Sequence, residues 1–161
     1  MAVFRHTALQ LCRLAANSAN VYVEEPLKST VAVRAAARKE RVAMTAAALN
    51  PSVPPSGIGC AECEATGGWW VHLRRCATCG HIGCCDDSLA RHATAHWRET
   101  GHPIIRSFEP GEDWFWDYET NDYYDGPELA PPQCHPEDQT VPGPRGRVPR
   151  NWAELLGQRG G

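Results

Sequence analysis

The 161-residue sequence has no apolar run long enough to cross a bilayer, so no membrane-spanning helix is expected. Its opening, MAVFRHTALQLCRLA, lacks the uninterrupted apolar stretch and the small-residue cleavage site of a secretory signal, and the chain reads as cytoplasmic. An excess of positive charge is missing as well, the formal net charge being −3 at pH 7. There is no internal repeat. These absences set aside membrane, secreted and repeat-protein readings before any residue is singled out.

What is present is cysteine. Six of the eight fall between Cys60 and Cys85, in two Cys-x-x-Cys pairs interleaved with histidine. In a small secreted protein such a count would mean disulfides. Without a signal peptide the same pattern points to metal in a reducing compartment. Cys12 and Cys134 stand apart and read as bystanders.

Composition divides the chain into three. Residues 1–56 are Ala- and Arg-rich, ending in the Pro/Ser/Gly linker NPSVPPSG. This segment is either an organellar transit peptide or the product of a start placed too early, with Met44 after the purine-codable Lys39-Glu40 as the true start. Its VRAAARKERVAMTAAAL stretch has helical propensity. Residues 57–125 hold the ordered block. WWVHLR is expected as a strand with Val71 and Leu73 on one face, and IIRSF as a second. DDSLARHATAHWRET is expected as a helix capped by Asp86 or Asp87, carrying Leu89, Ala93 and Trp97 on one face and stopped by Gly101 and Pro103. Residues 126–161 turn Pro/Gly-rich and read as a mobile tail, with one helical turn near its end capped by Asn151. The expected fold class is therefore α+β: a small zinc-stabilised domain, its short antiparallel sheet packed on one main helix, flanked by loosely ordered tails.

Each Cys-x-x-Cys pair can direct two sulfurs at one tetrahedral zinc. Cys60, Cys63, Cys76, Cys79 and Cys84, with His92, His96 and His102, make eight donors, enough for two closed four-coordinate sites. His92 and His96, at i and i+4, could share an ion or serve neighbouring ions from successive turns, and spacing alone does not choose. His72, His81 and Cys85 are spare donors, expected to be hydrogen-bonded or at the edge of the core.

The block GCAECEATGGWWVHLRRCATCGHIGCCDDSLARHATAHWRETGHPIIRSFEPGEDWFWDY resembles the ubiquitin-protease-type (UBP-type) zinc finger, and its WVHLR…CGH.GCCD run is similar to the small bacterial members. The resemblance implies that Cys60, Cys63, Cys84 and His92 hold one Zn2+ and Cys76, Cys79, His96 and His102 a second. Some members carry a further zinc, but Asp117 stands where bacterial relatives tend to have Cys, and Cys134-His135 would reach such a site only through a long loop. In ubiquitin-binding members a pocket takes the free Gly-Gly carboxyl end of ubiquitin, and the matching aromatics would be Trp70, Trp114 and Trp116. Trp70, on the expected strand, also suits the core, whereas Trp114 and Trp116 sit on an expected loop. The arginine that holds the carboxylate is replaced by Asp86, which would repel it; Arg74, Arg75 or Arg91 could reach the pocket in its stead, with solvated surface charge the favoured reading. A peptide or protein tail, cationic rather than ubiquitin itself, suits Asp86 and Asp87 better. The chain's own ending, Arg159-Gly160-Gly161, matches that of ubiquitin, an ending that chance yields in roughly 0.5% of chains.

Rival functions fare worse. From Gly57 to Tyr118 five Arg face nine acids, a net of −4, and five thiolates against two Zn2+ subtract one more. A phosphate-tracking surface needs the opposite sign, so nucleic acid is a poor partner. A catalytic zinc keeps an open position, and eight donors for two ions leave none. HATAH lacks the glutamate of the metalloprotease motif, and no Pro-Cys-x-x-Cys follows a His-x-Glu. Neither Cys-x-x-Cys lies in a thioredoxin-like βαβ unit, which counts against redox chemistry. The expectation is a non-enzymatic, zinc-built interaction module.

Overall fold

A computed structural model describes residues 32–37, 40 and 49–158. Residues 32–37 and 40 are helical, in keeping with their Ala/Arg composition. Most of the helix expected there, together with Met44, Cys12 and the Arg159-Gly160-Gly161 ending, lies outside the described residues. The elements that follow all belong to the unit Ala37–Gly161. Among the described residues no helix is long and apolar enough to cross a membrane.

The first element, α1 (Ala61–Thr66), is a single short helix begun by Cys60 and ended by Gly67 at φ 71°, whose N–H returns to the Cys63 carbonyl. That tight cap keeps Cys60 and Cys63 on one side of a compact knuckle. Next comes a hairpin, β1 (Leu73–Cys76) and β2 (Ile82–Cys84), then the helix α2 (His92–Thr100). Strands β3 (Ile104–Ser107), β4 (Phe115–Asp117) and β5 (Asp122–Tyr124) follow, and α3 (Trp152–Gly157) lies near the end. The five strands form one antiparallel sheet in the order β2-β1-β3-β4-β5. The domain is thus α+β, as expected, with more strands than the sequence signals. β4 and β5 are three residues each, too short to show a period.

Several local expectations shift. The first strand begins at Leu73, not in the Trp pair, because Trp70 is drawn into a two-bond antiparallel bridge with Gly143 (2.8 and 2.9 Å) and Val71 N–H donates to Ser88 Oγ at 2.9 Å. The main helix begins at His92, with neither Asp86 nor Asp87 capping it. Arg91, at φ 53°, interrupts the helical path, and residues 86–90 form turns. Leu89 therefore falls outside the helix and is exposed, while Ala93 is buried as expected. Gly101 does end the helix, at φ 73°, with its N–H on the Trp97 carbonyl. Trp116 sits on β4 rather than on a loop, and Trp114 just before it.

The helix lies directly on the hairpin at Gly83, where a Cβ would approach Ala93 N to 2.6 Å. This close approach brings the end of β2 beside the start of α2. The core has two parts. One joins Cys60, Cys63 and Cys84 with Trp70, Leu73, Ile82 and Phe108, and the other joins Ala77, Ile104, Phe115 and Leu129. Three of the seven residues in the first part are cysteines of a metal-donor set, so apolar packing and metal donors share one centre.

The flanking segments are more ordered than their composition suggests. NPSVPPSG lines the hairpin, with Ser56 N–H on the Gly80 carbonyl and Val53 O accepting from Arg75 Nη2 at 2.6 Å. A Cβ on Gly80 would meet Pro54 O at 2.1 Å. Residues 126–150, expected as a mobile tail, return across the domain. Leu129 and His135 are buried, and Gly143 bridges Trp70. Arg147 reaches the Cys63 and Gly68 carbonyls and Glu64. Backbone carbonyls make this possible: Arg75, fully buried, donates to Ala130 O and Pro132 O, and Arg106 donates to Gln133 O. Composition counts apolar side chains and cannot see a segment held chiefly by main-chain acceptors.

Candidate metal centre and adjoining cleft

The eight expected donors separate into two groups of four. Cys60 and Cys63 flank α1, Cys84 ends β2 and His92 opens α2, and their donor atoms all lie within 4.8 Å of one another. His92 Nδ1 is 3.1 Å from Cys60 Sγ, 3.4 Å from Cys63 Sγ and 3.5 Å from Cys84 Sγ. Cys76 ends β1, Cys79 lies in the hairpin turn, His96 is one turn along α2 and His102 follows its Gly cap; these four also converge within 4.8 Å. Here His96 Nε2 stands 3.3 Å from Cys79 Sγ. The two histidines four residues apart thus serve different clusters. One helix turn separates them, and the hairpin sends the ends of its two strands to opposite sites.

The protonation chemistry of both clusters fits a thiophilic dication. Hydrogen bonds from Cys60 and Cys63 hold the Cys84 thiol down to about 2, whereas Cys60 is pushed up by its hydrogen bonds with Cys63 and Cys84 and by burial. Three crowded thiols cannot all ionise without a cation between them. In the second cluster burial pushes Cys76 up to about 11. Burial, then the neighbouring His81 and His102, lowers His96 to about 4, leaving the neutral imidazole that binds metal. His102 Nδ1 is buried with no hydrogen-bond partner. All seven described cysteines are free thiols. Each cluster can therefore hold one zinc ion, which when bound supplies a cross-link between elements distant in sequence.

The spare donors have other work. His81 stacks on His96 (centroids 4.1 Å apart, 7° between planes) and its Nε2 lies 2.7 Å from Glu62 Oε1, so it spans the space between the clusters. Cys85 faces Ser88. His72 and His135 converge instead on a carboxylate the sequence did not single out. Glu109, buried, accepts from Leu73 N–H at 2.6 Å and sits 2.8 Å from His135 Nε2 and 3.6 Å from His72 Nδ1. Burial pushes the Glu109 carboxyl up, but the nearby His72 ring and the hydrogen bonds from His135 and Leu73 outweigh it and hold the group below its ordinary value. Asp117 accepts from the Glu119 and Thr120 amides and shapes the β4–β5 turn.

The aromatic candidates divide as well. Trp70 is fully buried in the first core cluster. Trp114 and Trp116 line an open cleft of about 260 Å3 with Arg74, Asp86, Tyr118 and Tyr123. Strand register explains the grouping. Ile105 pairs with Trp116 and Trp116 with Tyr123, so these side chains share one face of the sheet, and Trp114, two residues before Trp116, joins them. Arg106, Phe115 and Tyr124 take the opposite face. Tyr123 stands edge-on to both tryptophans (87° and 89°), and the Arg74 guanidinium lies 4.6 Å from the Trp114 ring centre. Of the three arginines weighed for the pocket, Arg74 lines the cleft, Arg75 is buried and Arg91 is exposed. Tyr118 and Tyr123 carried no signal beyond their aromaticity, because the β4–β5 hairpin that presents Tyr123 was not legible.

Fold and donor sets together define a small α+β zinc-finger module with two four-donor clusters. A family model described as "Zn-finger in ubiquitin-hydrolases and other protein" matches residues 60–129, so this stretch of the chain carries a UBP-type zinc finger. The chain is also similar to protein RPA1320 from Rhodopseudomonas palustris, known from a solution NMR structure. The two share 43% sequence identity over 62% of this chain and 92% of that one, with a TM-score of 0.49. No curated protein matches the chain.

Proposed function

We propose that this protein is a non-enzymatic interaction module in which two structural zinc ions hold a peptide-binding cleft in shape. Cys60, Cys63, Cys84 and His92 would bind one ion, and Cys76, Cys79, His96 and His102 the other. Four donors per ion complete a tetrahedral shell, the arrangement of structural rather than catalytic zinc. The observation that carries the reading is the cleft at Trp114 and Trp116, open on a sheet face next to the helix that supplies ligands to both clusters. Aromatic anchors in a concave site are the usual centres of peptide recognition. The partner would be the tail of a protein or peptide. A ubiquitin-like carboxyl end, which the family's association with ubiquitin hydrolases suggests, is one arm to test, against the acidic lining set by Asp86 and Asp87.

Two measurements test this. Native mass spectrometry of protein purified without added zinc should find two ions per chain; a single ion with an exchangeable water would favour an enzyme instead. NMR titration with short peptides should move the indole signals of Trp114 and Trp116 but leave that of buried Trp70 in place. If no peptide moves them, the cleft is not a recognition site.

A further inference from the structure

Granting the peptide-binding reading above, the cleft's chemistry narrows the ligand further. We infer that it receives the guanidinium of an arginine on an extended partner segment, seated against Trp116 and Tyr123 and paired with the Asp86 carboxylate. The volume of about 260 Å3 lies below the roughly 300–1,000 Å3 of small-molecule sites. It suits one long side chain.

Three features select a cation. The first is the wall: Trp114, Trp116 and Tyr123 all line the cleft, with Tyr123 steeply inclined to both tryptophans, and aromatic faces attract cations. The protein's own Arg74 already stacks 4.6 Å from the Trp114 centre, so a guanidinium is accommodated here. The second is a fixed counter-charge. Buried Thr94 donates to Asp86 Oδ1 at 2.5 Å, which orients the carboxylate and leaves Oδ2 for a ligand. The third is the charge around the site. Asp86 and Asp87 line the cleft, and Asp113 and Asp125 line the adjoining hollow of about 300 Å3 beside Trp114 and Tyr123. Against these four carboxylates stands Arg74 alone among the cleft's side chains.

The same features disfavour a carboxylate end. Asp86 and Asp87 would repel it. Arg74 Nη1 is already engaged by Leu73 O at 2.9 Å and Ser107 Oγ at 3.4 Å. Arginine fits better than lysine because its planar fork can stack on a ring while meeting a carboxylate with two N–H groups.

The test uses the zinc-loaded full chain and three peptides built on one neutral host sequence. The first has a central arginine and an amidated end, the second replaces that arginine by lysine, and the third lacks both but ends in a free Gly-Gly carboxylate. The arginine peptide should move the Trp114 and Trp116 indole signals most, with affinity falling as salt is raised. Asp86→Asn keeps an acceptor for Thr94 and should weaken binding about tenfold, the weight of one charge-assisted hydrogen bond. Tyr123→Ala, at a side chain 72% exposed and so dispensable for folding, should weaken it several-fold. Lysine binding as well as arginine, or Asp86→Asn binding unchanged while retaining two zinc ions, would overturn the inference. If only the Gly-Gly peptide moves the indoles, the peptide-binding reading stands and the arginine inference falls. If none of the three does, both fall.

Discussion

The two donor clusters differ in nearly everything except the number of ligands. The first uses three thiols and one imidazole, with all three thiols buried; the second uses two of each, and Cys79 is exposed. The first sits inside the core with Trp70, Leu73 and Phe108. It is also covered by the returning C-terminal segment, through the Gly143–Trp70 bridge and the Arg147 contacts to Cys63 and Glu64. The second joins a hairpin turn to the exit of α2 at the surface. A metal cross-link that shares its site with the core is inseparable from folding, whereas one at the rim orders a local turn. Charge adds to the contrast. Three thiolates with Zn2+ carry a net −1, which burial penalises unless hydrogen bonds such as His92 N–H to Cys84 Sγ disperse it. Two thiolates and two neutral imidazoles with Zn2+ are neutral.

The most severe way to probe this difference is to remove one ligand from each cluster. Structural zinc is worth roughly 10 kcal/mol or more, comparable with the roughly 5–15 kcal/mol that holds a whole domain together. Cys84→Ser should therefore unfold the domain, seen as collapse of NMR dispersion. Cys79→Ser should leave a folded sheet with one zinc per chain by native mass spectrometry. Equal collapse in both variants would show that the clusters fold as one unit. Timed chelation gives a gentler version: the first zinc released should come from the cluster that includes exposed Cys79, with the Cys79 and His102 signals shifting before those of Cys60 and Cys63.

The strap over the first cluster can be loosened at its buried anchor. Glu109→Gln removes the carboxylate on which His135 and His72 converge, and disturbing a buried hydrogen-bonding centre of this kind costs about 1–3 kcal/mol. Urea midpoints at pH 7 would measure it. The sign of the pH effect follows from the two shifts. The Glu109 carboxyl is depressed in the folded protein, so its contribution is present above the ordinary 4.5 and lost as pH falls through the lower folded value. The Glu109 carboxylate 3.6 Å away raises His72, partly opposed by desolvation, so that contribution is present below 6.5 and lost as pH rises through the raised value. The advantage of the native chain over Glu109→Gln should thus be largest between pH 4.5 and 6.5 and narrow on either side. An advantage independent of pH would mean that Glu109 acts through packing alone.

The smallest effect is expected at the strap's outer end. Arg147→Ala loses a partly exposed ion pair with Glu64 and two long hydrogen bonds, a change of at most about 1 kcal/mol. Its readout is kinetic. Zinc release from the first cluster should accelerate modestly while release from the second stays the same.

Much of the site was legible before the fold because metal chemistry is local in its first step. A Cys-x-x-Cys turn brings two sulfurs together whatever surrounds it, and Gly101 and Pro103 mark the end of α2 by backbone geometry alone. The limits of the reading have equally physical causes. Asp86 and Asp87 resemble a helix cap, but the need to bring Cys84 to His92 places a tight turn there, with Arg91 at φ 53°. The segment after Gly126 resembles a tail because its binding groups are carbonyls, and every residue has one. Glu109 looked like any surface acid until His72, His135 and the Leu73 amide closed around it.

The sequence by itself determined the donor inventory, the pairing of neighbouring cysteines and the presence of aromatic and acidic residues that could serve recognition. Spacing left open which distant Cys or His completes each set, an assignment that the family resemblance alone supplied, while the face on which Trp114 and Trp116 emerge and the place where Arg74 comes to lie were decided by the tertiary structure. The physical reason is range. Backbone turns act over a few residues and can be read in order, whereas strand register selects the face on which a side chain emerges, and register is settled only when the strands pair.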